Sequence, residues 1–228
     1  MSRRDGQRIQ RRNSVSGLAF TPKALPGLIS WYRADLGVTI ATGVSAWADQ
    51  SGAGNTAVQA TGANQPAFNA SNAGFNGRPT ITGTLNQSLS ATVATPNPLT
   101  LFVVGTLSAS SFMVAGNGAW SLTDNGVNLV MNSGTGNALG PRAVSVAASM
   151  VAIDGVNGQV RTSQHTGGSV VDTGASTGTL ITILNSVLVS NGGNVMAEMA
   201  IWNRVLTAGE IDRLNTYASS RYAIGIGA

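Results

Sequence analysis

Cysteine is absent from the 228 residues, so the chain can build neither a disulfide framework nor a thiolate metal site. Histidine occurs once, at His165, and one imidazole without cysteine cannot hold zinc alone. Charged residues make up only 10% of the chain and aromatic residues 5%. Such a composition argues against a mainly helical protein, because helices are usually rich in Glu, Lys and Leu. No run of 18 or more apolar residues occurs, so no helical membrane span is predicted. Met1 to Asn13 is polar and lacks the apolar stretch of a secretory signal. The only glutamates are Glu198 and Glu210, and no acidic pair alternates along any predicted strand. Glycoside cleavage needs two carboxyl groups flanking the bond. The scattered aspartates, Asp124 and Asp154 among them, suggest no such pair, and the expectation is a non-enzymatic protein. No Gly-x-Ser-x-Gly elbow is present. The glycine turns at Gly116-Asn117-Gly118 and Gly134-Thr135-Gly136 have neither the lysine nor the helix of a phosphate loop.

What remains is abundant in turn and strand formers. Glycine numbers 29, with Ser, Thr, Asn and Ala filling much of the rest. Many short strands joined by tight turns are the natural reading. The formal net charge of +4 is concentrated at one end. Arg3, Arg4, Arg8, Arg11 and Arg12 face a single acid, Asp5, and the rest of the chain is formally neutral. Residues 1–16 therefore read as a basic arm, residues 17–26 as a linker, and residues 27–228 as one β-domain. Guanidinium forks suit phosphate or carboxylate. Anchoring to a neighbouring protein, binding nucleic acid and remaining a solvated tail are all open to the arm. It has no aromatic residue for base stacking, so nucleic acid is the less favoured partner.

Strands are predicted at Leu28 to Ala34, Val44 to Ala48 and the continuous apolar run Leu99 to Thr106. Ser111 to Ala115, Ala119 to Thr123 and Val127 to Met131 are separated by Gly-Asn and Asp-Asn-Gly hairpin signals. Ala143 to Ile153 and Gln159 to Thr162 read as a further hairpin. Thr179 to Ser190 and Val195 to Asn203 are the last two strands. Thr207 and Glu210 then form a capping-box pattern, and Ile211, Leu214, Ala218 and Tyr222 recur at helical spacing. One amphipathic helix is expected over roughly 208–221.

Two segments carry a resemblance to a known family. One runs from Leu28-Ile29-Ser30-Trp31-Tyr32-Arg33-Ala34-Asp35 through Trp47-Ala48-Asp49-Gln50-Ser51-Gly52-Ala53-Gly54-Asn55, with Gln65-Pro66 and Asn76-Gly77-Arg78-Pro79 following. The other is Ala197-Glu198-Met199-Ala200-Ile201-Trp202-Asn203-Arg204-Val205-Leu206-Thr207, leading into Glu210-Ile211. Over about residues 26–226 the chain resembles the laminin-G-like, concanavalin A-like jelly rolls of bacteriophage structural proteins and bacterial surface proteins. The resemblance implies an all-β, two-sheet antiparallel jelly-roll sandwich with one C-terminal amphipathic helix. Fold does not fix function, since this architecture serves lectins, hydrolases, adhesion modules and virion parts alike.

Within that frame the expected function is structural. The protein reads as a virion component, a capsid decoration or cement protein anchored by its arm to a capsid protein, with a homo-oligomer, a trimer by guess, as its assembly. The alternative is a carbohydrate-binding, lectin-like module, with Trp120 as its candidate glycan contact. Asp49 and Asn55 are expected to structure their Gly/Ser/Asn loop, Asp49 accepting from the amides of Ser51 and Gly52. They are also weak calcium candidates through their oxygens, and no other cofactor is expected. Asn203 and Arg204 are expected to pin the strand-to-helix turn, Glu198 to pair with an arginine, and His165 to sit in a polar loop.

Overall fold

The structure is a computed structural model. It describes residues 20–96, 99–107, 112–117, 120–124, 128–133, 136–141, 149–153, 158–162, 165–170, 178–184 and 193–224. The basic arm and its five arginines lie outside the described residues.

Eight strands fill the first half of the chain: β1 (Leu28–Arg33), β2 (Val38–Ile40), β3 (Val44–Trp47), β4 (Ala57–Val58), β5 (Ala67–Asn72), β6 (Arg78–Gly83), β7 (Leu89–Thr95) and β8 (Leu99–Thr106). The second half contributes β9 (Phe112–Gly116), β10 (Trp120–Asp124), β11 (Asn128–Ser133), β12 (Gly136–Pro141), β13 (Ser149–Ile153), β14 (Gly158–Thr162), β15 (His165–Val170), β16 (Gly178–Ile183) and β17 (Asn194–Trp202). Helix α1 (Ala208–Tyr222) follows. One sheet has the order β15-β14-β13-β8-β17-β6-β5, with β1 also paired to β17. The other runs β12-β11-β10-β9-β16-β7-β4-β3-β2. The pairings in both are antiparallel. This is the two-sheet sandwich with one C-terminal helix that the sequence implies.

The expected hairpins β9–β10, β10–β11 and β13–β14 all form. The last two strands, β16 and β17, go to opposite sheets. Sequence reading passes over β5, β6 and β7. The cause is visible in β7, whose inward positions Leu89, Ala91, Val93 and Thr95 alternate with outward Ser90, Thr92 and Ala94. Half of that pattern is small or polar, so the apolar period of two is weak. His165 corrects its expectation: it opens β15, opposite Thr162, rather than sitting in a loop.

Two apolar cores lie on either side of the first sheet. Between the sheets pack Tyr32, Trp47, Ile81, Leu101, Met113, Ile181 and Met199 among others. On the opposite face Trp31, Phe102, Trp202 and Leu206 meet Ile211, Leu214, Ala218 and Tyr222 of α1. Helix, sheet and sheet thus form three layers. The central β8 and β17 are covered on both faces, which explains why Leu99–Thr106 reads as a continuous apolar run. Each leucine or isoleucine that α1 buries contributes about 1.5–3 kcal/mol.

The helix start obeys its sequence signal. The Thr207 hydroxyl accepts from the Glu210 amide, and the Glu210 carboxylate accepts from the Thr207 amide at 2.8 Å. Arg204 reinforces this turn with a forked pair to Glu210 at 2.9 and 2.6 Å, and its Nε donates to the Pro26 carbonyl at 2.9 Å. These contacts, with the Arg204 hydrogen bonds foremost, hold the Glu210 carboxyl down at about 2. Leu25 is buried and the Pro26 carbonyl is bonded by Arg204, so the chain is held against the domain before β1 begins.

A β-bulge interrupts β17 between Met196 and Glu198, opposite Gly105 and Val104 of β8. It places Ala197 and Glu198 on the same, helix-facing side. Gly105 makes the close approach possible, since a Cβ there would sit 2.3 Å from the Val195 carbonyl oxygen and 2.9 Å from Met113 Cε. Gly105→Ala should destabilise the fold by about 1–3 kcal/mol through this overpacking. Urea denaturation would read it as a lowered midpoint, and an unchanged midpoint would refute the close-approach account.

Candidate functional site

Glu198 has no exposed surface. The bulge turns its carboxylate into the layer between the sheet and α1, where three donors from two other elements meet it. Trp31 Nε1 of β1 donates to Oε1 at 2.6 Å. The Tyr222 hydroxyl donates to Oε2 at 2.6 Å, and the Tyr217 hydroxyl lies 3.0 and 2.9 Å from the two oxygens. No arginine among the described residues bonds to Glu198, which corrects the expectation of an arginine partner. Arg33 supplies only a longer-range attraction. Burial pushes the Glu198 carboxyl up, and the hydrogen bonds from Tyr222, Trp31 and Tyr217 oppose it without cancelling it. Burial, with the nearby carboxylate second, likewise raises both tyrosine hydroxyls.

Above this platform runs a groove of about 690 Å³, lined by Phe20, Thr21, Arg33, Arg78, Asp212, Arg213, Thr216, Tyr217, Ser220 and Arg221. Four arginines therefore line it, from β1, β6 and α1. Two are clamped. Arg33 Nε donates to Asp35 Oδ1 at 2.7 Å and Arg33 Nη2 to Oδ2 at 3.2 Å, while Arg221 Nη2 pairs with the same Oδ2. Burial pushes Asp35 up, but the Arg33 hydrogen bonds and the Arg221 charge outweigh it and hold the carboxyl below its usual range. The clamped cations also stack, Arg33 over Trp31 at 5.6 Å and Arg221 over Tyr222 at 5.5 Å. Arg213 lies 4.5 Å over the Phe20 ring, and Phe20 meets Tyr217 edge-on at 6.1 Å. Arg78 and Arg213 have no carboxylate partner among the described residues.

Asp49 does structure its loop, with partners that differ in part from those expected. Oδ1 accepts from the amides of Trp31 at 2.8 Å and Ser51 at 2.9 Å. Oδ2 accepts from Ser51 Oγ at 2.7 Å and the Asn55 amide at 3.1 Å, not from Gly52. Asn55 Nδ2 donates to the Ile29 carbonyl at 2.8 Å, and Tyr32 donates its hydroxyl to the Asn55 carbonyl. Calcium there would have to displace these bonds. Trp120 begins β10 opposite Ser133, in the other sheet from the groove. A second hollow, of about 640 Å³, opens beside Ile29, Pro96, Asn117, Thr179 and Asn203. No charged side chain lines it among the described residues.

Sequence reasoning missed the groove. Its arginines are spread from residue 33 to residue 221 and vanish into a neutral total. The signal that could have found two of them is Arg213 and Arg221 on the helix faces that flank Tyr217.

No protein-family model matches the chain, and no curated protein matches its sequence. Solved structures do share its fold. The binding domain of botulinum neurotoxin serotype G superposes with a TM-score of 0.62 at 14% identity, over 85% of this chain and 51% of that one. A botulinum neurotoxin type C structure gives 0.60 at 12% identity, over 84% and 51%. An arabinofuranosidase gives 0.51 at 12%, over 80% and 51%. The chain thus spans about half the length of these structures. At such identities the likeness establishes the β-sandwich and nothing finer.

The buried carboxyl makes a pH prediction. Because its folded value is raised above the ordinary 4.5, its stabilisation is present below about that pH and is lost as pH rises through the folded value. Asp35 and Glu210, both held low, act in the opposite sense. The difference between the native chain and Glu198→Gln isolates the effect: the variant should gain stability relative to the native protein as pH rises from 4 to 8. Glu198→Ala, which orphans three buried donors, should lose about 3–5 kcal/mol. Thermal melts across that range check both, and parallel curves for the native and Gln proteins would sink the account.

Proposed function

We propose that the chain is a carbohydrate-binding domain whose ligand lies in the groove along α1. The observation that carries this reading is the groove itself: fixed guanidinium donors, the hydroxyls of Thr21, Thr216 and Ser220, and aromatic surface from Phe20 and Tyr217 on one concave face. Sugars present many hydroxyls and an apolar ring face, and sites that bind them combine directional polar groups with aromatic surface. The fold neighbours lend support. Cell entry of botulinum neurotoxin type C is dependent upon interaction with two ganglioside molecules. The arabinofuranosidase was seen complexed with arabinofuranosyl-α-1,2-xylobiose.

Binding suits the groove better than cleavage. A glycosidase acid must keep a raised pKa while facing the sugar. Here the carboxyl that burial raises is Glu198, which is sealed beneath the helix with its oxygens occupied. The other reading, a virion decoration protein anchored by Arg3, Arg4, Arg8, Arg11 and Arg12, draws its support from the arm's charge and the family resemblance.

Ser220 is exposed, on the groove side of α1 and away from the apolar contacts. Ser220→Trp should fill the groove, abolish binding on an oligosaccharide array and leave the melting temperature within about 2 °C. Trp120→Ala should leave binding intact, with or without calcium. Binding that survives Ser220→Trp but disappears with Trp120→Ala would move the site to the other sheet.

A further inference from the structure

We infer that the groove selects sugars carrying a carboxylate, of the uronic type, over neutral sugars. This rests on the groove being the glycan site. Of its four arginines, Arg33 and Arg221 are neutralised in part by a shared Asp35, whereas Arg78 and Arg213 have no acidic partner among the described residues. Two guanidinium charges are thus left to be answered from outside. A planar fork of N–H donors matches a carboxylate in a bidentate manner, which a neutral hydroxyl cannot reproduce.

Two acids accompany the four arginines of the groove. Asp212 lies in its wall and Asp35 stands behind two of its cations. A sugar that presents a carboxylate among its hydroxyls complements this set of forked donors. The clamped pair can serve those hydroxyls with the Nη1 donors for which no bond to Asp35 occurs.

The experiment uses the full chain and titrates it by calorimetry with three probes: oligogalacturonides, the same oligomers as methyl esters, and a single-stranded oligonucleotide. Oligogalacturonides should bind at least about tenfold more tightly than their esters. Arg78→Gln and Arg213→Gln, both at exposed positions, should each cut the ratio of acid to ester affinity about tenfold. Raising salt should weaken the acid form selectively. Equal binding of acid and ester, unaffected by the arginine variants, would overturn the charge preference while leaving the glycan site in place. Preference for the oligonucleotide would overturn it in favour of a phosphate-backbone ligand. Silence with every probe, together with silence on the neutral oligosaccharide array, would remove the glycan site and this inference with it.

Discussion

A carboxylate with no access to water sits where three elements meet, and the helix side of the molecule is organised around satisfying it. Glu198 belongs to the central β17, Trp31 to its neighbour β1, and Tyr217 and Tyr222 to α1. A buried acid without partners is too costly to keep, so the position of α1 is constrained as much by these hydroxyls as by its apolar stripe. Tyr217 and Tyr222 differ by five residues, so they approach the carboxylate from different sides of the helix axis. Rotating α1 to improve the packing of Ile211 or Leu214 would break at least one of those bonds. The polar cluster therefore fixes the helix rotation, which the apolar stripe alone leaves looser.

That constraint carries outward to the surface. Tyr217 has its hydroxyl on Glu198 and its ring against Phe20, and Phe20 carries Arg213. Tyr222 bonds Glu198 and lies beneath Arg221, which reaches Asp35 and through it Arg33. Three of the groove's guanidiniums are thus placed by aromatic side chains, two of which touch the buried acid. The origin of the arrangement is the bulge in β17, because regular alternation would aim Glu198 and Ala197 at opposite faces.

Much of the fold was legible because it follows local rules. The Leu99–Thr106 run, the Gly-Asn hairpin signals and the Thr207–Glu210 box each depend on residues within a few positions of one another. The Asp49 loop was readable for the same reason, although its long-range amide partner on Trp31 was not. Strands β5 to β7 escaped notice because small and polar side chains blunt their alternation. The groove was illegible for a stronger reason. Trp31 and Glu198 are separated by 167 positions, and the bulge that lets them meet depends on a glycine in a third strand. Charge counting misled as well: a body with equal numbers of acids and bases looks featureless, yet four of its arginines line one groove.

The division of the arginines into a clamped pair and an unclamped pair explains how such a cluster can exist in a stable fold. Four like charges on one concave face repel, and the low-dielectric walls of a groove strengthen that repulsion. Asp35 relieves it where the guanidiniums are most crowded, between β1 and α1, and the faces of Trp31 and Tyr222 spread the remaining charge. Fixing Arg33 and Arg221 in this way also removes rotamer freedom before any ligand arrives, so less entropy is lost on binding. Arg78, on β6, and Arg213, over the Phe20 ring, have no carboxylate partner among the described residues. A carboxylate entering between these two would complete outside the protein what Asp35 does within it.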